Sequence, residues 1–271
     1  APPIRGAVTM TEAGKPARSR KKIEDYLAVA AEYEAGGLYT EAINELEKAV
    51  RVAGDKSLVY RHLAKLYHGQ RMIDKAVSAC RKALRIKPDD TPLREMLLGI
   101  LMETGQFDDA ISESHDLLRS NPRSLAARDV LSIAYLQKGM LEKALQITNE
   151  MISLDPNSAA NHFKKAVLFQ QKGDIGSAIN EFTRVLEMQC DDDMAEDAES
   201  AIEVLDTHQL RHIVMLAVED YIFRTKLIRD PIAAALERGY ILSEGGLTIL
   251  KQINFDEIPD VMNEWKQRYY H

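Results

Sequence analysis

Two histidines four residues apart, His208 and His212, are the residues whose types and spacing most suggest chemistry. On a helix they would share one face, as the zinc ligands of metalloproteases do. Those enzymes need a glutamate after the first histidine as general base, and here Gln209 follows it. No third ligand can be identified, and Arg211 between the histidines would oppose a cation. We therefore expect two histidines on a solvated helix and no metal.

Other candidate chemistry is equally weak. The run of three aspartates at 191–193 lacks the alternating oxygen ligands and the closing glutamate of a calcium loop. Acidic residues that open a helix at Met194 explain it more simply. We find no phosphate-binding glycine loop and no nucleophile elbow. The sequence predicts no cofactor, no catalytic residue and no enzyme.

A period of 34 residues organises the middle of the chain. It is carried by five alanines: Ala42, Ala76, Ala110, Ala144 and Ala178. Such a period predicts one supersecondary unit that is copied and stacked. We expect each alanine where two helices of a pair approach closely, and therefore expect it to be tightly buried.

Further columns keep the same period. Three residues before each alanine, an apolar residue recurs and forms part of the apolar stripe: Tyr39, Ile73, Phe107, Leu141 and Ile175. Five before, at the end of the first helix, glycine dominates because it tolerates a left-handed conformation: Gly37, Arg71, Gly105, Gly139 and Gly173. Thirteen before, an aliphatic column has one lapse at its end: Val29, Leu63, Leu97, Leu131 and Lys165. Apolar columns on both sides of a glycine column predict two helices joined by a turn in each unit.

This pattern resembles the tetratricopeptide repeat family over residues 23–192. The resemblance implies an all-α fold, a right-handed α-solenoid of five helix-turn-helix repeats: 23–56, 57–90, 91–124, 125–158 and 159–192. The large aromatic that the family places early in the first helix is present as Tyr26 and Tyr60. Arg94, Arg128 and His162 replace it in the other units, where we expect looser packing or exposure.

Three segments flank the repeats. Residues 1–22 carry six Lys/Arg against one Glu and are expected to form a flexible basic tail. Residues 193–229 are expected to be capping helices, at 194–206 and about 208–228, with a buried apolar face. That face comprises Ile213, Leu216, Ala217, Ile222 and Leu227. Residues 230–271 predict a small helical module with a start at Asp230-Pro231, a cap at Ser243 and a last helix near 258–270.

In the tetratricopeptide family, the first helix of each pair lines a concave groove. The corresponding residues here form the predicted partner-binding site: Arg61, Lys65, His68, Gly99, Met102, Asp129, Ile133, Phe163, Val167 and Gln170. This groove would be cationic near the second unit and apolar toward the fourth and fifth. A solvated helix face would equally explain Arg61 and Lys65, and packing against the capping helices would explain Phe163 and Val167.

Charge and composition narrow the function. The net charge of −7 argues against nucleic acid as a partner, and no stretch reaches the ~20 apolar residues of a membrane span. We expect a cytoplasmic scaffold or adaptor that binds a peptide or helical segment of a partner protein in the groove. One alternative is self-assembly into a homo-oligomer, in which the tail or C-terminal module of one copy occupies another's groove. A second is a regulatory or enzymatic role within residues 193–271.

Overall fold

The computed structural model describes residues 22–52, 54–188 and 190–257, and within these ranges the regular structure is helical. The chain forms two compact units, 1–100 and 101–271. The first unit contains four helices and the first part of a fifth: α1 (Ile23–Ala35), α2 (Tyr39–Ala49), α3 (Ser57–Gly69), α4 (Ile73–Ile86) and α5 (Thr91–Glu103). The predicted all-α fold class is confirmed.

Up to residue 257, the described part of the second unit contains the end of α5 and nine further helices, followed by a short 3-10 helix at Phe255–Glu257. The first five are α6 (Phe107–Ser120), α7 (Leu125–Gln137), α8 (Leu141–Leu154), α9 (Ala159–Lys172) and α10 (Ile175–Glu187). The last four are α11 (Asp192–Glu219), α12 (Tyr221–Arg229), α13 (Pro231–Glu237) and α14 (Glu244–Gln252). The predicted tail, apart from Lys22, and the predicted helix near 258–270 lie outside the described residues.

The repeat columns occupy the structural positions that their chemistry requires. The first helices begin at the five residues that open the units, and the second helices begin at the apolar column three residues before each alanine. Each of the five alanines is completely buried, as expected for a point of close helix approach. The glycine column adopts a left-handed conformation in every unit, including Arg71 with φ of 59°.

Three departures from the repeat pattern are packed tightly, which corrects the expectation of loose or exposed positions. The side chain of Arg94 is buried and donates to the carbonyl oxygen of Pro88 at 2.9 Å. Arg128 donates in the same way to Pro122 at 2.8 Å. His162 is only 2% exposed. Each arginine donates a hydrogen bond to the carbonyl oxygen of the proline near the end of the preceding repeat. A polar side chain can therefore take the place of the aromatic one without leaving a gap.

The capping region differs from its prediction in two places. Instead of two helices that meet near residue 207, α11 continues without a break to Glu219. The break falls at Asp220, whose carboxylate accepts a hydrogen bond from the Phe223 N–H at 2.9 Å and caps α12. Ile222 is 68% exposed, so its predicted burial is wrong, whereas Ile213, Ala217 and Leu227 are buried as predicted.

The C-terminal helices pack onto α11. Residues from the second half of α11 and from α12, α13 and α14 share one apolar core with Phe255. Gln209 makes two hydrogen bonds to the backbone of Ile241, at 2.8 and 3.0 Å. Asp206 accepts hydrogen bonds from the N–H and the hydroxyl of Ser243, the residue that caps α14 as predicted. Buried polar groups of α11 therefore fix the start of α14.

We expect Ala144→Leu to destabilise the protein by about 1 to 3 kcal/mol, because the added carbons must enter a filled helix contact. Ala126→Leu on α7 is the matched control, since Ala126 is exposed, and it should change the free energy of unfolding by less than about 0.5 kcal/mol. Urea unfolding followed by circular dichroism measures both. Equal midpoints for the two variants would contradict close packing at the alanine column.

Two neighbouring glycines test how closely α14 approaches α11. A Cβ at Gly246 would lie 2.5 to 2.7 Å from the carboxyl group of Asp206, whereas a Cβ at Gly245 would meet only the Ser243 hydroxyl at 3.5 Å. Gly246→Ala should cost about 1 to 3 kcal/mol because it forces this contact apart. Gly245→Ala should be neutral or stabilising by up to about 1 kcal/mol. Thermal unfolding of the two variants gives the comparison.

Candidate functional site

The predicted groove residues fall in both units, and we describe them as two faces. The first face comprises the residues of the first unit: Arg61, Lys65, His68 and Gly99. The second face comprises those of the second unit: Met102, Asp129, Ile133, Phe163, Val167 and Gln170. Each face is carried by the first helices of the repeats, chiefly α3 in one unit and α7 and α9 in the other.

Arg61 on the first face is held by an ion pair with Asp90. Asp90 also caps α5, because its carboxylate accepts a hydrogen bond from the Leu93 N–H at 3.2 Å. Burial favours the neutral form of Asp90, but the Arg61 guanidinium and the Leu93 N–H outweigh it and hold the pKa of Asp90 below its ordinary value of 3.8. Arg61 therefore ties α3 to the start of α5, and its charge is compensated.

Lys65 is the more available cation of the first face. It is exposed and forms no ion pair with any residue in the described ranges. His68, one turn further along α3, is partly buried. Gly99 on α5 is exposed and has open space where a side chain would stand. The first face is thus less cationic than its sequence predicts, with Lys65 rather than Arg61 carrying the accessible charge.

The second face combines apolar side chains with Asp129 and Gln170. Ile133 on α7 is 37% exposed. Beside it on the same helix, Asp129 forms an ion pair with Lys164, which joins α7 to α9. Met102 and Gln170 are partly buried. The exposed isoleucine next to a compensated ion pair offers an apolar contact without a strong net charge.

Phe163 and Val167 contribute part of their surface to the interior. Both pack against the apolar cluster formed by α9, α10 and α11. The ring of Phe163 meets that of Phe182 edge-to-face, with centroids 5.3 Å apart and an interplanar angle of 74°. Packing against the capping helices, the alternative raised from the sequence, therefore buries part of both side chains. Ile133 is the more exposed apolar residue of this face.

A buried polar cluster near the second face was missed by the sequence analysis. His162 Nδ1 lies 2.7 Å from one carboxylate oxygen of Glu181, and Lys165 Nζ lies 2.8 Å from the other. Burial favours neutral Glu181, but the hydrogen bonds from His162 and Lys165 outweigh it and lower the pKa of Glu181 below 4.5. The available sequence signal was that His162 and Lys165 both depart from apolar columns within one repeat.

His208 and His212 lie four residues apart on α11. Both histidines are exposed, and His212 Nδ1 lies 2.7 Å from the Tyr240 hydroxyl. Within the described ranges, no group of three or more His, Cys, Asp or Glu side chains is placed to hold a metal ion. Nor does any helix in those ranges have the length and apolar character needed to cross a membrane.

Comparisons with known proteins point to one fold. Two tetratricopeptide repeat families match the chain, over residues 26–91 and 101–167. The solved structure of MamA from Desulfovibrio magneticus RS-1, residue 41 to its end, is similar at 20% identity with a TM-score of 0.52, and the match covers 63% of this chain and 96% of that one.

Two further solved structures agree. YrrB, described as a TPR protein with an unusual peptide-binding site, is similar at 21% identity with a TM-score of 0.53, over 65% of this chain and 91% of that one. A tetratricopeptide repeat protein from Parabacteroides merdae has 18% identity and a TM-score of 0.57, over 68% and 79%. No sequence among curated proteins matches significantly. These similarities show an all-α tetratricopeptide solenoid fold.

The Arg61–Asp90 ion pair predicts how the stability of the protein depends on pH. A carboxyl group whose pKa is lowered by folding stabilises the protein above its unfolded pKa, and that contribution is lost as the pH falls through the folded pKa. Asp90→Asn should therefore lower stability at pH 7 by about 1 to 3 kcal/mol and flatten the loss of stability below about pH 4. Amide hydrogen exchange of α3 and α5 as a function of pH measures this. Lys65→Met is the control and should leave the pH profile unchanged.

Proposed function

The chain belongs to the tetratricopeptide repeat family, and we propose from this premise that it is a non-enzymatic scaffold for protein–protein interaction. Its ligand is an extended or helical segment of a partner protein, bound by the faces of the first helices. The observation that carries the proposal is the second face, where Ile133 is exposed beside the Asp129–Lys164 ion pair.

The chemistry of the two faces defines the partner segment. Ile133 requires an aliphatic or aromatic anchor, because burial of apolar surface is the main favourable term in association. Lys65 calls for an acidic residue, since its ammonium group has no ionic partner among the described residues. Arg61 is excluded from this role because Asp90 already compensates it. The second face therefore fits an apolar part of a partner segment and the first face fits an acidic part, and each face is proposed by itself.

The solved structures support this proposal by analogy. YrrB is described as having a peptide-binding site within the same fold. At 21% identity the similarity extends to the fold alone, so the residues proposed to bind are those that this chain itself exposes.

The partner can be identified by photo-crosslinking. A photoreactive amino acid placed at Ile133 in the full chain should crosslink to one partner segment in cell extract. Placement at Leu125 is the control, because Leu125 is on the same helix and is 39% exposed against 37% for Ile133. Identical crosslinked products from the two positions would contradict a specific binding face.

Binding of the identified segment then tests the residues. We expect Ile133→Glu to weaken affinity at least about tenfold, because it places an unpaired charge against the apolar anchor. Lys65→Glu tests the first face separately, where it should weaken binding of an acidic peptide about three- to tenfold and make that binding less sensitive to salt. Leu125→Glu and Arg85→Glu are the matched controls on exposed positions. Fluorescence anisotropy measures all four, and affinity unchanged by Ile133→Glu would overturn the assignment.

A further inference from the structure

An apolar groove of about 510 Å³ lies between α10, α11 and α14 in the second unit. Its floor is formed by Leu186, Ile202 and Ile249, and Ile249 is 51% exposed. The backbone of Gly245 and Gly246 forms one wall, so no side chain obstructs it there. The volume falls in the range of typical ligand sites, roughly 300 to 1,000 Å³. We call this space the α10–α14 groove.

The walls of the groove are fixed by hydrogen bonds that do not involve a ligand. Asp206 lies in the lining, but its carboxylate is engaged by the N–H and hydroxyl of Ser243. Its close contact with Gly246 holds α14 against α11. A site that is already formed loses less entropy when it is occupied. Asp206 is therefore part of the frame, and the groove is available to an incoming segment.

The rim of the groove is acidic. It comprises four glutamates, none of which has an ion-pair partner among the described residues: Glu187, Glu199, Glu203 and Glu244. No lysine or arginine is present among the lining residues. An apolar floor that is exposed at Ile249, under uncompensated carboxylates, favours an occupant with apolar side chains and positive charge.

Two segments of this chain that lie outside the described residues, apart from Lys22, contain apolar side chains, and charge distinguishes them. Residues 1–22 contain Ile4, Val8 and Met10 together with six basic residues against one acidic. Residues 258–271 contain Trp265 and two tyrosines, but two Asp/Glu balance two Lys/Arg. Only the first segment complements the acidic rim.

We infer that the α10–α14 groove is a docking site for residues 1–22 of a second copy of this chain. Apolar side chains of the segment cover Leu186, Ile202 and Ile249, and the basic run at 18–22 lies along the glutamates of the rim. None of the lining residues of this groove belongs to the two faces proposed for the partner protein. Docking in this groove would join two copies of the chain.

The direct test uses a fluorescent peptide of residues 1–22 titrated into dilute full-length protein. The double variant Glu199→Lys and Glu203→Lys should weaken its binding at least about tenfold, because two attractive pairs become repulsive. The control is Glu196→Lys with Asp197→Lys, which makes the same charge change on exposed positions of α11 outside the groove lining. It should stay within about twofold. Equal losses in both double variants would overturn a specific site.

Charge reversal of the peptide provides a rescue. A peptide in which Arg18, Arg20, Lys21 and Lys22 are replaced by glutamate should not bind the unmodified chain but should bind the Glu199→Lys, Glu203→Lys variant. Ile133→Glu should leave binding of the natural peptide unchanged, which separates this site from the proposed partner face. Loss of peptide binding in Ile133→Glu would place the segment on the second face and overturn the inference.

Self-association of the full chain completes the test. Sedimentation velocity should show concentration-dependent dimers or larger species that dissociate when salt is raised from about 0.05 M to about 0.5 M. The Glu199→Lys, Glu203→Lys variant should remain monomeric. A monomer at every concentration for the unmodified chain would exclude docking between copies. Displacement of the 1–22 peptide by an equimolar peptide of residues 258–271 would assign the groove to the other segment and also overturn the inference.

Discussion

The close contact of two helices at a fully buried alanine is the constraint on which the repeats depend. The five alanines are completely buried, and a larger side chain at this column is expected to push the packed helices apart, which favours a single register for the pair. The left-handed residue five positions earlier and the start of the second helix three positions earlier follow from that register. The remaining positions of the first helices form the two faces on which we propose partner binding. The proposed binding surface and the interior packing are thus set by the same spacing.

Features that repeat along the chain could be predicted from the sequence, whereas those that depend on distant partners could not. The starts of α3, α5 and α7 follow from the 34-residue period. The continuity of α11 does not, because Asp206 and Gln209 interrupt its apolar pattern. These polar residues are buried through hydrogen bonds to Ser243 and Ile241, more than thirty residues away. The domain boundaries proposed from the sequence remain predictions.

The candidate site also contains features that could be predicted from the sequence and features that could not. The repeat places Arg61 and Lys65 on one helix face, but it does not reveal which charge is accessible. Asp90, which compensates Arg61, belongs to the turn before the next helix. Helical periodicity also fails to predict the exposure of Ile222. A new helix begins after Asp220, so the periodicity of α11 does not continue and the Ile222 side chain faces solvent. Position within a repeat is thus predictable from periodicity, but free charge and exposure depend on contacts with other elements.

The buried cluster of His162, Lys165 and Glu181 has an evolutionary consequence. Loss of Glu181 alone would leave the Lys165 ammonium group and the His162 imidazole without their carboxylate partner in an apolar interior. Loss of Lys165 or His162 alone would remove one of the two hydrogen bonds that stabilise the buried carboxylate. Single substitutions in the triad are therefore expected to be destabilising, whereas joint exchange of all three members for apolar side chains leaves no buried charge unpaired. Selection on the fifth repeat is thus expected to act on the three residues as one unit.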